Sequence, residues 1–162
     1  MRLAGRQRLG FYPLPTPEAE RIRRFFAFPD KQSCALDPCV GDGKAFAQIS
    51  SDKKVLRYGI ELDSGRAEQA RSKGSEVIHG NCFDVQAPVE SFSLIYLNPP
   101  YDFEIGEEKS QRMEKLFLEH IYRWLKLGGI LVLVCACEAN CRLHCPAVDS
   151  FPRCTCVPSH GT

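Results

Sequence analysis

The sequence predicts an α/β fold built on a mainly parallel sheet, and three observations carry that prediction. Short apolar runs of strand length alternate with segments whose apolar residues recur at helical spacing, which is the pattern of consecutive βαβ units. The runs stop abruptly at Asp37-Pro38, at Glu61 and at Asn98-Pro99-Pro100, as strands do where a parallel sheet presents their carboxyl ends. The chain has 162 residues, which suits one domain, since domains commonly run to ~100–150 residues and bury a sizeable core at that size.

The elements follow in order. Thr16-Pro17 sets a capping residue before a proline suited to the first helical position. Ile22, Phe25 and Phe26 extend it as an apolar stripe that stops near Pro29. Cys34-Ala35-Leu36 reads as a buried strand, and the glycine turn Gly41-Asp42-Gly43 leads into a helix carrying Phe46 and Ile49. Val55 to Ile60 is a second strand ending in Glu61; Asp63 caps a helix that closes at Gly74. Glu76 to Ile78 is a third strand and Phe92 to Leu97 a fourth. Met113, Leu116, Phe117, His120, Ile121, Trp124 and Leu125 then fall on one helical face, and Gly128-Gly129 marks the stop. Ile130 to Val134 is a fully apolar fifth strand.

Composition excludes several classes. With 21 Lys+Arg against 20 Asp+Glu, the net charge of +1 rules out a histone-like protein but leaves room for a local basic patch. No apolar run approaches the ~20 residues of a membrane span. The N-terminal MRLAGRQRLG is basic without the apolar core of a signal peptide, so the expectation is a cytoplasmic protein that does not engage a membrane. Six of the nine cysteines crowd the segment after Val134. That segment has no lysine and no clear period, so the expected organisation is a core of residues 1–134 and an irregular Cys-rich tail, 135–162. Cys135, Cys137, Cys141, His144, Cys145, Cys154 and Cys156 are zinc-compatible ligands, but their spacing fits no standard finger or ribbon. No metal is assigned.

The residues that carry chemistry sit where strands end. Asp37-Pro38-Cys39-Val40-Gly41-Asp42-Gly43 supplies a tight turn that a ligand can approach, ahead of a helix N-terminus with unpaired N–H groups. Glu61 closes the second strand 18 residues after Gly43, near the ~20 spacing of a carboxylate that accepts ribose hydroxyls. In Asn98-Pro99-Pro100-Tyr101 two rigid prolines remove backbone donors. An amide oxygen and a fixed carbonyl are offered as acceptors, and the aromatic ring offers a stacking face. Such a site grips a planar group bearing an –NH2.

In this order the motifs resemble the class I, Rossmann-like S-adenosylmethionine-dependent methyltransferases of the amino-methylating NPPY type. The resemblance is strongest to short adenine-specific DNA methyltransferase-like proteins, and it covers about residues 1–134. It implies a three-layer α/β fold with parallel strand order 3-2-1-4-5, whose C-terminal strands are here missing or replaced by a divergent or frame-shifted end. On that view the fifth strand is an exposed edge that a partner chain can cover. The resemblance places Asp37, Pro38, Gly41 and Gly43 in the first cofactor motif and Glu61 on the ribose hydroxyls. Asn81 and Cys82 fall against the cofactor adenine, with Asn81 standing where an aspartate is usual. Tyr12, Thr16 and Pro17 match the segment that closes over the methionine moiety, and Asn98, Pro99, Pro100 and Tyr101 the catalytic motif.

The implied activity is methyl transfer from S-adenosylmethionine to an exocyclic amino group, N6 of adenine in DNA before all others. Transfer to RNA or to a protein glutamine amide is the alternative, as is a catalytically silent fragment. Arg2, Arg6, Arg8, Arg21, Arg23 and Arg24, opposed by Glu18 and Glu20, form a patch of net charge 6 − 2 = +4 that can meet nucleic-acid phosphates, DNA rather than RNA.

Overall fold

A strand that reads as a continuous apolar run needs cover on both faces, and the sheet in this chain is built to receive it. The computed structural model describes residues 11–100, 103–104, 111–135 and 154–158. Its strands are β1 (Ser33–Asp37), β2 (Val55–Glu61), β3 (Glu76–His79), β4 (Phe92–Leu97), the short pair β5 (Phe103–Glu104) and β6 (Gln111–Arg112), β7 (Leu125–Cys135) and β8 (Cys154–Pro158). The helices are α1 (Thr16–Arg23), α2 (Lys44–Ile49), α3 (Ser64–Ser72) and α4 (Met113–Ile121). The main sheet runs β3-β2-β1-β4-β7-β8, and every neighbouring pair is parallel. Its first five strands reproduce the 3-2-1-4-5 order.

Successive side chains of one strand divide between two cores, as strand geometry requires. Ala35, Leu94, Tyr96, Val132 and Val134 pack with Ile22 of α1, Phe46 and Ile49 of α2 and Ala70 of α3. Leu36, Ile95, Leu97, Leu131 and Leu133 pack instead with Phe117, Leu118 and Ile121 of α4 and with Trp124. Three layers result, with helices on both faces. Burial of each large side chain stabilises by ~1.5–3 kcal/mol, so these alternating residues hold the sandwich together.

Several boundaries differ from the sequence reading. Helix α1 starts at Thr16 itself after Pro15, with no side-chain capping bond, and it ends at Arg23. Phe25 is 73% exposed, because the stripe has already left the helix. The long amphipathic helix ends at Ile121 and passes through a 3-10 turn, Tyr122–Trp124. Leu125 is already in β7, opposite Phe92. Gly128-Gly129 is therefore no helix cap. Between the pairs Phe92–Leu125 and Leu94–Ile130 β7 carries 5 − 2 = 3 extra residues, and Gly128 at φ +76° absorbs that bulge.

The tail corrects the sequence reading most. Residues 154–158, expected to be irregular, form β8 in parallel register with Leu131–Cys135. The apolar edge of the fifth strand is thus covered by this chain's own backbone. A strand rich in β-formers finds hydrogen bonds along an open edge that local periodicity does not reveal. Residues 136–153 and 159–162, and the side chains of the tail cysteines with the zinc reading that rests on them, lie outside the described residues.

Candidate active site

The strand order reverses between β1 and β4, and a cleft opens there at the carboxyl ends of the strands, the usual ligand position in open α/β sheets. Its volume is about 510 Å³, inside the ~300–1,000 Å³ range of ligand pockets.

The β1 end supplies the floor. Asp37 is buried, and its Oδ1 accepts the backbone N–H of Cys39 at 2.9 Å. Burial pushes the Asp37 carboxyl well above its usual range; the Cys39 N–H opposes this and the Glu61 charge adds to it. The chain then turns through Gly41 (φ +57°) and Gly43 (φ +76°), a left-handed backbone that favours glycine. A Cβ on Gly43 would stand 2.8 Å from both Cα and Cβ of Ala70 on α3, so this glycine also sets how closely α3 approaches. A Cβ on Gly41 would strike the Phe11 ring. Cys82 faces the same floor, its thiol pushed up to about 12, first by burial and then by Asp37. Burial likewise raises the Cys39 thiol. Both stay protonated at neutral pH and act as small apolar surfaces, since the thiolate is the nucleophilic form.

Glu61 is buried at the end of β2 and already holds several partners. Its Oε2 accepts from the backbone N–H of Gly41 at 2.9 Å, its Oε1 from that of Asp63 at 2.9 Å. The same Oε1 accepts from Arg66 Nε at 3.0 Å and Nη2 at 2.6 Å. Asp63 caps α3 as the sequence predicts, accepting from Arg66 N at 2.9 Å, and so starts the turn that brings Arg66 back over Glu61. The Arg66 guanidinium lies 5.0 Å from the Phe11 ring centre, within cation–π range.

At the far wall Asn81 lines the cleft. Oδ1 caps the short turn Cys82–Asp84 by accepting from Phe83 N at 3.1 Å, as asparagine readily does. Phe83 packs on Phe117, ring centres 4.7 Å apart. His120 Nε2 lies 3.0 Å from the Cys82 carbonyl and 3.2 Å from that of Val85. Two carbonyl partners require that nitrogen to carry the proton. His120 thus ties α4 to the loop after β3.

On the β4 side Asn98 and Pro100 line the cleft and Pro99 is buried behind them. Asn98 Nδ2 donates to the Tyr12 carbonyl at 2.9 Å, which fixes the amide and draws the N-terminal segment across the opening. Tyr12, Thr16, Asp37, Pro38, Glu61, Asn81 and Cys82 all line the same cleft. Pro17, Gly41 and Gly43 do not, although the two glycines shape its wall. Tyr101 and the arginines at 2, 6 and 8 lie outside the described residues. Arg23 donates to the Phe26 carbonyl at 2.8 Å and to Ser51 Oγ at 3.3 Å and lies over the Phe28 ring, so it is a structural residue rather than an open phosphate contact. The sequence reading missed Phe11, Arg66, Phe83, Met113 and Phe117, all of which line the cleft. For Arg66 a signal existed: it sits three residues after a predicted cap, on the turn that faces the end of β2.

Among the described residues no group of three or more His, Cys, Asp or Glu is placed to hold a metal, and no helix is long and apolar enough to cross a membrane. The sequence matches the Uncharacterised methyltransferase family (DUF6094) over residues 1–151, past the end of the resemblance read from the motifs. No curated protein matches it. Among solved structures, a Listeria monocytogenes protein assigned to the class I S-adenosylmethionine-dependent methyltransferases shares 17% identity at a TM-score of 0.59, over 72% of this chain and 44% of that one. A Thermotoga maritima SAM-dependent methyltransferase shares 22% at 0.50, over 70% and 47%. Phosphoethanolamine N-methyltransferase 2 of Haemonchus contortus, in complex with S-adenosyl-L-methionine, shares 18% at 0.55, over 72% and 27%. At these identities the likeness establishes the fold. The chain spans less than half the length of each of the three.

Proposed function

We propose a function from one premise: the chain belongs to the DUF6094 methyltransferase family. The cleft binds S-adenosylmethionine, and the chain methylates an exocyclic amino group held at Asn98, with N6 of adenine in DNA as the preferred substrate. The observation that carries this reading is that Asn98 and Pro100 line the same cleft as Asp37 and Glu61, so donor and acceptor sites share one space.

The residues present fit the cofactor. The cleft has suitable volume, and Ile60, Leu62 and Phe83 offer apolar surface for an adenine. Asp37 and the Gly41–Gly43 turn lie toward the methionine end, and Glu61 stands at the ribose. When bound, the cofactor would supply a sulfonium methyl: its C–S bond breaks as the new C–N bond forms, the thioether leaves with the electron pair, and the amine gives up one proton to water.

The chain's own contribution is positional. An amine conjugated to a purine ring is a poor nucleophile because its lone pair is delocalised. Asn98 Nδ2 donates to the Tyr12 carbonyl, which orients the amide, and Asn98 Oδ1 is the acceptor we assign to the amine. The Pro99 carbonyl is the second acceptor, and neither proline has an N–H to compete. Two hydrogen bonds to these acceptors pyramidalise the nitrogen and aim its lone pair. Holding the reactants in register can lower a barrier by about 7–11 kcal/mol at best. A base in a duplex must first be flipped out, and Tyr101 is the stacking platform for it. The exposed Arg21 and Arg24 are basic contacts available to phosphates.

Labelled methyl from the cofactor, offered with DNA, RNA and protein fractions, tests the proposal. Label in adenine of DNA is the expected result. Label in RNA or on protein glutamine keeps the enzyme and replaces the substrate, and no transfer to any fraction overturns the activity.

A further inference from the structure

The sequence marks Glu61 as a ribose-binding carboxylate, yet one of its two oxygens is already crowded and the pair cannot take two further donors as it stands. Each oxygen of an ionised carboxylate offers about two acceptor sites; Oε1 already receives three N–H donors from Asp63 and Arg66 and Oε2 one from Gly41, so a single hydroxyl can reach Oε2 but two hydroxyls cannot bind until Arg66 leaves Oε1. Two of the four come from the backbone of the turns that shape the site and cannot leave without reshaping it. The other two both belong to one side chain, Arg66. That pair is sheltered, the Arg66 and Glu61 side chains being 16% and 7% exposed, so bulk water does not readily take its place.

We propose that Arg66 is a latch on the ribose site: it must release Glu61 before a vicinal diol can bind there, and the diol replaces it donor for donor. This rests on the cofactor reading above. The two hydroxyls of a ribose supply two O–H donors, the number that Arg66 Nε and Nη2 withdraw. A ligand with both hydroxyls restores full satisfaction of the buried carboxylate. A ligand without them cannot, and an unsatisfied buried carboxylate is costly, so the latch stays shut. The released guanidinium keeps a partner, because the Phe11 ring lies against its face. Opening the latch thereby also changes the seat of Phe11, whose ring packs on Gly41. Arg66 is thus a specificity residue that admits ribosyl ligands at the expense of their affinity.

The test compares wild type with Arg66→Met, and with Arg66→Gln should the first variant unfold. Titration with S-adenosylhomocysteine establishes that the site binds the adenosyl moiety. Adenosine and 2′,3′-dideoxyadenosine are then measured by displacement. A binding-competent state populated at one part in ten costs about tenfold in apparent affinity. The variants should therefore bind adenosine about tenfold more tightly, while dideoxyadenosine changes by less than about twofold. In wild type, the Arg66 Nε–H resonance should shift on adding adenosine and stay in place with dideoxyadenosine. Equal or weaker adenosine binding in the variants, or an equal gain for both nucleosides, overturns the latch alone. Should S-adenosylhomocysteine bind none of the proteins, the cofactor reading falls and the latch with it.

Discussion

The two ends of the cleft are held in different ways. At the ribose end the polar groups satisfy one another within a short stretch: Glu61, Asp63 and Arg66 close a network inside the β2–α3 turn, joined only by Gly41 from the neighbouring loop. At the other end, where transfer is proposed, Asn98 donates to the carbonyl of Tyr12, 86 residues earlier in the chain. A network closed by near neighbours survives changes elsewhere, whereas a contact across the whole chain holds only while both segments are folded and docked. The end at Glu61 is closed by local contacts, with Arg66 as the part that must open, and the end at Asn98 depends on docking of the N-terminal segment.

Substitutions at the two ends should separate these behaviours. The largest expected effect is at the transfer end, where Asn98→Ala removes an acceptor for the amine. We expect transfer to fall by at least about a hundredfold, the scale seen when one preorganised polar group is removed from an active site. S-adenosylhomocysteine affinity should stay within about threefold, because that ligand relies on the other end; comparable loss of both would erase the distinction.

At the Glu61 end, Gly43→Val pushes a branched side chain into Ala70 at a positive φ. Overpacking of that kind costs ~1–3 kcal/mol, read as a lower urea midpoint together with weaker S-adenosylhomocysteine binding. Unchanged stability would mean that α3 is free to shift and that the site is less rigid than the contacts imply. His120→Ala is expected to cost about 1–3 kcal/mol by leaving the Cys82 and Val85 carbonyls without that donor. Amide exchange in residues 81–85 should quicken while exchange around Asn98 does not.

The smallest effect concerns Asp37. Its carboxyl binds its proton more tightly folded than unfolded, so the native state holds the extra proton above the ordinary carboxylate pKa. Stability should then fall as pH rises from about 4 toward the raised folded value. The neutral Asp37→Asn should lose that slope and gain in melting temperature at pH 8 relative to pH 5. A wild-type profile that climbs over this window would show that Asp37 is ionised in the folded protein.

Much of this architecture is legible in local pattern. The apolar runs at Val55–Ile60 and Phe92–Leu97, and the cap at Asp63, are decided by neighbours within a few residues, so reading the sequence places them correctly. The helix over Met113–Leu125 is legible in type but not in length. Its last apolar residues serve equally well in a 3-10 turn and a strand, and pairing with Phe92 decides between them. The candidate site divides likewise. Asp37, Glu61 and Asn98 are found because strand ends carry recognisable residues, while Phe11, Phe83 and Phe117 look like any other core aromatics until the fold gathers them.

By itself the sequence determined the βαβ alternation, the glycine turn after β1 and the polar residues at the strand ends. Each of these is fixed by backbone sterics and by the periodicity of side chains over a few residues. Only the tertiary structure decided that residues 154–158 pair with the fifth strand, that Asn81 caps the turn at Phe83, and that Arg66 lies on the carboxylate of Glu61. Those outcomes depend on which hydrogen-bonding groups meet once distant segments are packed, and no local pattern encodes a competition between partners that are brought together only by folding.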